Sequence, residues 1–265
     1  MKTCILILIV LTSFGLVADS VRYQCNNCKK YTGKWWIWNV VAGNREFKVK
    51  LCENCTKLPK CSECYGRVAS YQHGDKRYFC PQCHKEGIFD KKKGQQIFDE
   101  TRKFLKEKWG IYTEHKIYFS LEDCDYMKQF SNGYSSNPIG YFSPLGSGKK
   151  IRYFSGVEYN HPEVFRIRVL SGMSAVKLAG VIAHELTHDW VWEVVPQIQK
   201  YEQLNEGIAT YIQWLYLKHT GNHNMAKHQA NRTDLVYGAG FRQMQQIMHS
   251  SVNAEDFKNI LLQQL

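Results

Sequence analysis

Beyond residue 20 this 265-residue chain contains no apolar run long enough to cross a bilayer. It has no low-complexity tract and no internal repeat apart from paired cysteines. No recognition helix or RNA-binding signature accompanies its basic residues. After Cys83 there is one further cysteine, Cys124. These absences exclude an integral membrane protein of several spans, a disordered chain and a recognisable nucleic-acid reader. What remains is globular: 44% hydrophobic, 22% charged and 14% aromatic residues, enough for one large domain or two small ones.

The first twenty residues read as a targeting segment. Lys2 precedes an almost unbroken apolar run from Cys4 to Val17, and Ala18-Asp19-Ser20 offers small residues for cleavage. This layout predicts a secreted or otherwise exported protein, with no stable membrane insertion after cleavage. The formal charge of +11 falls to about +7 if eight cysteines hold two zinc ions as thiolates. The basic residues read as spread out, with short runs such as Lys91-Lys92-Lys93. That suits a solvated basic surface better than a nucleic-acid site.

Composition divides the remainder. Residues 21–90 carry eight cysteines, Asp90 to Gly94 reads as a charged hinge, and residues 95–265 carry the strongest helical patterns. In the last zone the periodicity predicts a helix from Gln95 to Trp109, stopped by Gly110, and a strand at 116–120. Ser131 to Lys149 is rich in Gly, Ser and Asn and reads as a long loop or a pair of turns. Val164 to Leu170 alternates apolar and basic residues, as a half-exposed strand would. Ser171 to Ser174 breaks that strand and offers caps for a helix over 175–194, which Pro196 stops. A further helix is expected over 201–218.

The helix over 175–194 contains His184-Glu185-Leu186-Thr187-His188. Histidines four apart lie one turn apart on one helix face and can reach one metal ion together. Glu185 is displaced around the helix, where it can address a water that the metal has acidified. Three protein ligands and an open position are the rule for catalytic zinc. The metzincin continuation that would add a third histidine is absent, since Val191 stands where its glycine would be. Glu206, in Asn205-Glu206-Gly207, follows His188 by eighteen positions. A turn at Pro196 and a returning helix would bring it alongside the histidines. Tyr211 and Tyr237 are candidate oxyanion donors, with Tyr237 preferred because glycines flank it. Arg242 reads as a surface salt bridge or a carboxylate anchor.

The cysteines form four Cys-x-x-Cys pairs: Cys25/Cys28, Cys52/Cys55, Cys61/Cys64 and Cys80/Cys83. Two such turns complete one tetrahedral site, so two structural zinc ions are expected. A cross-braced pairing and disulfides remain alternatives at this level.

His184 to His188 with Asn205-Glu206-Gly207 resembles the gluzincin peptidases. That resemblance implies a zincin-like α+β domain, with Glu206 as third ligand and catalytic Glu185. It also implies an edge strand that pairs with substrate, which by position would be Val164 to Leu170. Similar enzymes use a residue on the second helix to orient a histidine, here Thr210, with Asp189 as rival but turned away from the metal face. The sequential cysteine pairing is similar to a LIM domain, with Cys52 where LIM usually has histidine. A small LIM-like double zinc ribbon ahead of a gluzincin domain resembles the LIM-containing peptidases related to plant organ-size regulators. The expected organisation is a signal peptide over 1–20, the LIM-like module over 21–90 and the peptidase domain over 95–265. The expected activity is zinc-dependent hydrolysis of a protein or peptide substrate. The competing reading is a non-catalytic zinc protein that recognises a partner through its LIM-like module, with a relic zincin domain. A disulfide-rich binding domain is a third.

Overall fold

The computed structural model describes residues 22–42, 45–66, 71–130, 138–146, 149–152, 158–248 and 254–262. The expected targeting segment lies outside them. The described chain is a mixed α and β protein with a small cysteine-rich N-terminal region.

Its organising element is the helix Ala175–Val194, in which every residue from Leu178 to Val191 is buried. A helix buried on all its faces belongs inside a core, and this one is covered from several directions. The helix Lys91–Trp109 contributes Phe98, Leu105 and Trp109 to that core. The helix Glu202–His219 adds Ile208 and Ile212 after the chain turns through Pro196–Lys200. The helix Tyr237–Met248 adds Phe241 and Met244. The last two helices approach closely: a Cβ on Gly207 would lie 2.6 Å from backbone atoms of Gly240. The glycine beside Glu206 thus lets these helices meet backbone to backbone. The glycines after Tyr237 likewise allow close backbone approach, Gly238 against Arg232 and Gly240 against Gln203 and Gly207.

A three-stranded sheet covers another side. Val164–Leu170 is its centre, parallel to Lys116–Glu122 and antiparallel to Gly140–Pro144. This corrects one expectation, since Val164–Leu170 is not the free edge. Its apolar face of Phe165, Ile167 and Val169 is fully buried, while Val164, Arg166 and Leu170 on the other face are partly exposed. Arg168 is also buried, donating to the Ser143 hydroxyl at 3.0 Å and lying over the Phe130 ring. Gly140–Pro144 is an outer strand, inside the stretch read as loop. Residues 131–137 and 147–148 of that stretch lie outside the described residues.

The charged hinge is corrected too. Lys91 already begins the helix, because the Asp90 carboxylate accepts the Lys93 amide at 2.8 Å and caps the first turn. Gly94 is buried against Leu121, where a side chain would collide.

The cysteine-rich region is built from short antiparallel strand pairs, the longest being Trp36–Ala42 with Arg45–Leu51. Its apolar clusters are small. One gathers Val40 and Phe79 around Cys61, Cys64 and Cys83; the other gathers Leu51 around Cys25 and Cys55. Several bonds tie the cluster around Cys61, Cys64 and Cys83 to the helical core. Gly87–Ile88 pairs with Met173–Ser174. Glu63 accepts the Ser174 amide and hydroxyl, both at 3.1 Å, and pairs with Lys177 at 3.0 Å. Ser174 therefore gives its hydroxyl to Glu63 and makes no cap bond within its own helix.

Candidate metal centre

Helical geometry points the His184 and His188 rings at one spot. Their Nε2 atoms are 3.2 Å apart. The following helix delivers Glu206 to the same spot, with Oε2 3.0 Å from His184 Nε2 and Oε1 3.6 Å from His188 Nε2. Zinc bonds of about 2.0–2.2 Å to nitrogen and oxygen set tetrahedral edges of roughly 3.3–3.6 Å. The three side chains thus stand within a few tenths of an ångström of the separations of three corners of a zinc tetrahedron. Their chemistry fits as well: two imidazoles and one carboxylate can hold a metal.

Electrostatics shows the same demand for a cation. Burial opposes charge on His188, but the Glu206 and Glu185 carboxylates outweigh it and raise its pKa to about 9. Burial would likewise raise Glu206, yet His188 and His184 hold it far below the ordinary carboxylate range. Burial pushes the Glu185 carboxyl up, and the two histidines pull the other way less strongly. A raised pKa makes a carboxylate a stronger proton acceptor.

Glu185 is pressed against the outer strand. A Cβ on Gly140 would collide with Glu185 Oε1, so the carboxylate occupies the space a side chain there would need. His188 Nδ1 lies 3.2 Å from Asn205 Oδ1, and Asn205 Nδ2 donates to Gln199. Asn205 therefore takes the orienting position expected of Thr210. The Thr210 hydroxyl is buried and makes no hydrogen bond among the described residues, so that expectation is corrected. Asp189 is turned away, as expected: it binds His115 Nδ1 at 2.7 Å and the Thr113 hydroxyl.

Tyr237 stands beside the three candidate ligands, its ring centroid 6.1 Å from that of His184. Burial, with Glu206 and Glu185 adding, raises its pKa and keeps the phenol protonated. The Arg232 guanidinium lies 4.3 Å over the Tyr237 ring and pairs with Asp234 at 2.9 Å. Asp234 in turn accepts the Tyr237 amide at 2.7 Å. Tyr211 packs instead against Trp214, Phe241 and Phe257 in the core. Arg242 donates to the Arg232 carbonyl at 2.8 Å.

Two lobes of open space meet at Gly140, His184, Glu185 and Tyr237. The larger, about 460 Å³, is lined by Ile139, Val181, Leu235, Arg232 and Asp234 among others. The smaller, about 180 Å³, is bounded by Phe130, Tyr141, Phe142 and Trp192. Glu185 thus faces a groove that extends to both sides of it. Sequence reasoning missed Gly140, Asn205, Arg232 and Asp234 as parts of this site. Asn205 carried a signal, its place one residue before Glu206, whereas nothing in the sequence marks Gly140.

The cysteines converge in two groups: Cys25, Cys28, Cys52 and Cys55, and Cys61, Cys64, Cys80 and Cys83. This is the sequential pairing, and all eight thiols are free, so neither the cross-brace nor disulfides are present. Cys28 and Cys52 sulfurs are 3.7 Å apart, and those of Cys64 and Cys80 are 4.0 Å apart. Tetrahedral zinc–sulfur bonds imply about 3.8 Å. Both groups could hold structural zinc, an arrangement compatible with zinc-ribbon or LIM-like modules. Comparison with protein-family models, with curated proteins and with solved structures finds no match to this chain.

Proposed function

We propose that this chain is a zinc-dependent metallopeptidase whose zincin-like domain hydrolyses a protein or peptide substrate at His184, His188 and Glu206. The observation that carries the reading is the convergence of these three donors beside a buried carboxylate that is not one of them. Zinc bound there supplies Lewis acidity. Glu185 accepts a proton from the attacking water and returns it to the leaving amine, as a general base and then acid. Tyr237 stays protonated and donates to the oxygen that becomes negative. Gly140–Pro144 offers an outer strand edge along the groove, and an extended peptide can hydrogen-bond to it. The non-catalytic alternative leaves the buried Glu185 carboxyl beside the ligands without a use.

The test is Glu185→Gln. Hydrolysis of a peptide library should fall at least about a hundredfold, with zinc content unchanged. Undiminished cleavage would remove Glu185 from the mechanism, and a zinc-loaded wild type that cleaves nothing would return the site to a binding role.

A further inference from the structure

The basic residues are not evenly spread when counted by zone. Residues 22–60 hold nine Lys or Arg against two Glu, whereas residues 61–265 hold 25 against 21. More than half of the chain's excess positive charge therefore sits in the first cysteine group. The same small unit exposes large apolar side chains: Tyr31 at 69%, Ile37 at 48% and Trp36 at 42%.

One face of this unit joins both properties. Ile37 stands opposite Lys50 across the strand pair, and cross-strand neighbours share a face. Lys48, two residues along from Lys50, projects to the same side and is exposed. The Lys50 ammonium lies 4.3 Å over the Tyr23 ring and 5.2 Å from the Trp35 ring. Aromatic, aliphatic and ammonium groups thus alternate on one surface.

We propose that this face, centred on Ile37, Lys48 and Lys50, docks on an anionic lipid surface. Its charge is complementary to acidic headgroups, and lysine needs no fixed geometry to be attracted to them. Tyr and Trp favour the headgroup level of a membrane. Ile37 decides between polyanions. An exposed aliphatic side chain gains by leaving water at a lipid interface, and gains nothing from stacking on bases or pairing with sulfates. Docking of this kind is peripheral and requires no membrane span. The inference does not rest on the peptidase reading.

The zinc-loaded mature chain, after the cleavage expected near residue 20, should sediment with vesicles of phosphatidylcholine mixed with phosphatidylserine, but not with phosphatidylcholine alone. Added salt should release it. Each lysine near an acidic leaflet is worth about fivefold in affinity, so Lys48→Gln with Lys50→Gln should weaken association roughly thirtyfold. Ile37→Ser should weaken it severalfold. If the double variant fails to fold, Lys48→Gln alone should still show about a fivefold loss. Failure to associate with acidic vesicles would overturn the proposal, as would association that the lysine and Ile37 substitutions leave unchanged. Retention on heparin or single-stranded RNA without vesicle binding would reassign the face to a soluble polyanion and overturn it as well.

Discussion

Gly140 governs how Glu185 can act, because the Glu185 carboxylate rests where a Cβ of residue 140 would go. Gly140→Ala must displace one or the other by a few tenths of an ångström or more. Small displacements of a reacting group are costly, so kcat should fall about tenfold or more. Zinc content should stay at the wild-type level, since the atoms nearest the new methyl belong to Glu185 and Val181 and not to a candidate ligand. Equal kcat in the two proteins would show that Glu185 tolerates another position. In the proposed site Asn205 would act on the metal through His188, its Oδ1 accepting from Nδ1 and leaving Nε2 free to ligate. Asn205→Ala should weaken zinc binding by about 10–100-fold in a competitive chelator titration. Thr210→Ala should leave zinc affinity unchanged, because its hydroxyl reaches neither histidine. The reverse order of effects would restore Thr210 to the role the family resemblance implied.

At the scale of elements, what the sequence revealed follows the strength of local signals. The helices over 175–194 and 202–219 were legible because apolar residues and stop signals agree over several turns. The histidines and Glu206 were legible with them, since helical spacing fixes their faces. Gly140–Pro144 was not. Gly140, Ser143 and Pro144 are weak strand formers, and an outer position in a sheet tolerates them because one side needs no partner. Its pairing with Val164–Leu170 is a tertiary fact with no local trace. The start of the helix at Lys91 was hidden by three lysines at the wrong end of a helix dipole. Only the Asp90 cap, read together with buried Gly94, reveals it. Bonds between the second cysteine group and the helical core were equally invisible. Asp75 is one of them, accepting the Cys124 amide at 2.9 Å and the Arg77 guanidinium at 2.7 Å, while Arg77 donates to the Ser171 carbonyl. Burial would raise the Asp75 carboxyl, but the Cys124 amide and Arg77 outweigh it and hold it at about 2. A depressed folded-state pKa gives stability that is complete above the unfolded value near 4. That stability is lost as pH falls toward 2. Asp75→Asn should therefore lower stability by about 2 kcal/mol at neutral pH. Denaturant midpoints of the two proteins should converge as pH drops below 4. A gap that persists to pH 2 would trace the loss to packing rather than to charge.

Across the whole molecule, dependence on metal should follow the size of the apolar core around each site. His184, His188 and Glu206 sit on helices whose burial continues through one large cluster from Ile88 to Leu261. Removing a metal held there would uncover little of that core. Among the described residues, the group of Cys25, Cys28, Cys52 and Cys55 has only Leu51, with Val49 and Leu58 beside it, as apolar support. So small a cluster cannot offset the chain entropy of ordering the unit without metal–thiolate bonds. The group of Cys61, Cys64, Cys80 and Cys83 lies between these cases. Its own cluster is small, but Glu63, Arg77 and strand Gly87–Ile88 fasten it to the helical core. A strong chelator should therefore remove all metal yet unfold the chain unevenly. Hydrogen exchange after chelation should show full loss of amide protection over residues 22–60 and partial loss over 61–88. The helices Lys91–Trp109, Ala175–Val194 and Glu202–His219 should remain protected. Peptide hydrolysis should cease on chelation and return with added zinc, even where the first cysteine unit has not refolded. Simultaneous loss of protection in all three regions would mean that the metals hold one cooperative unit, and would contradict the division drawn from the cores.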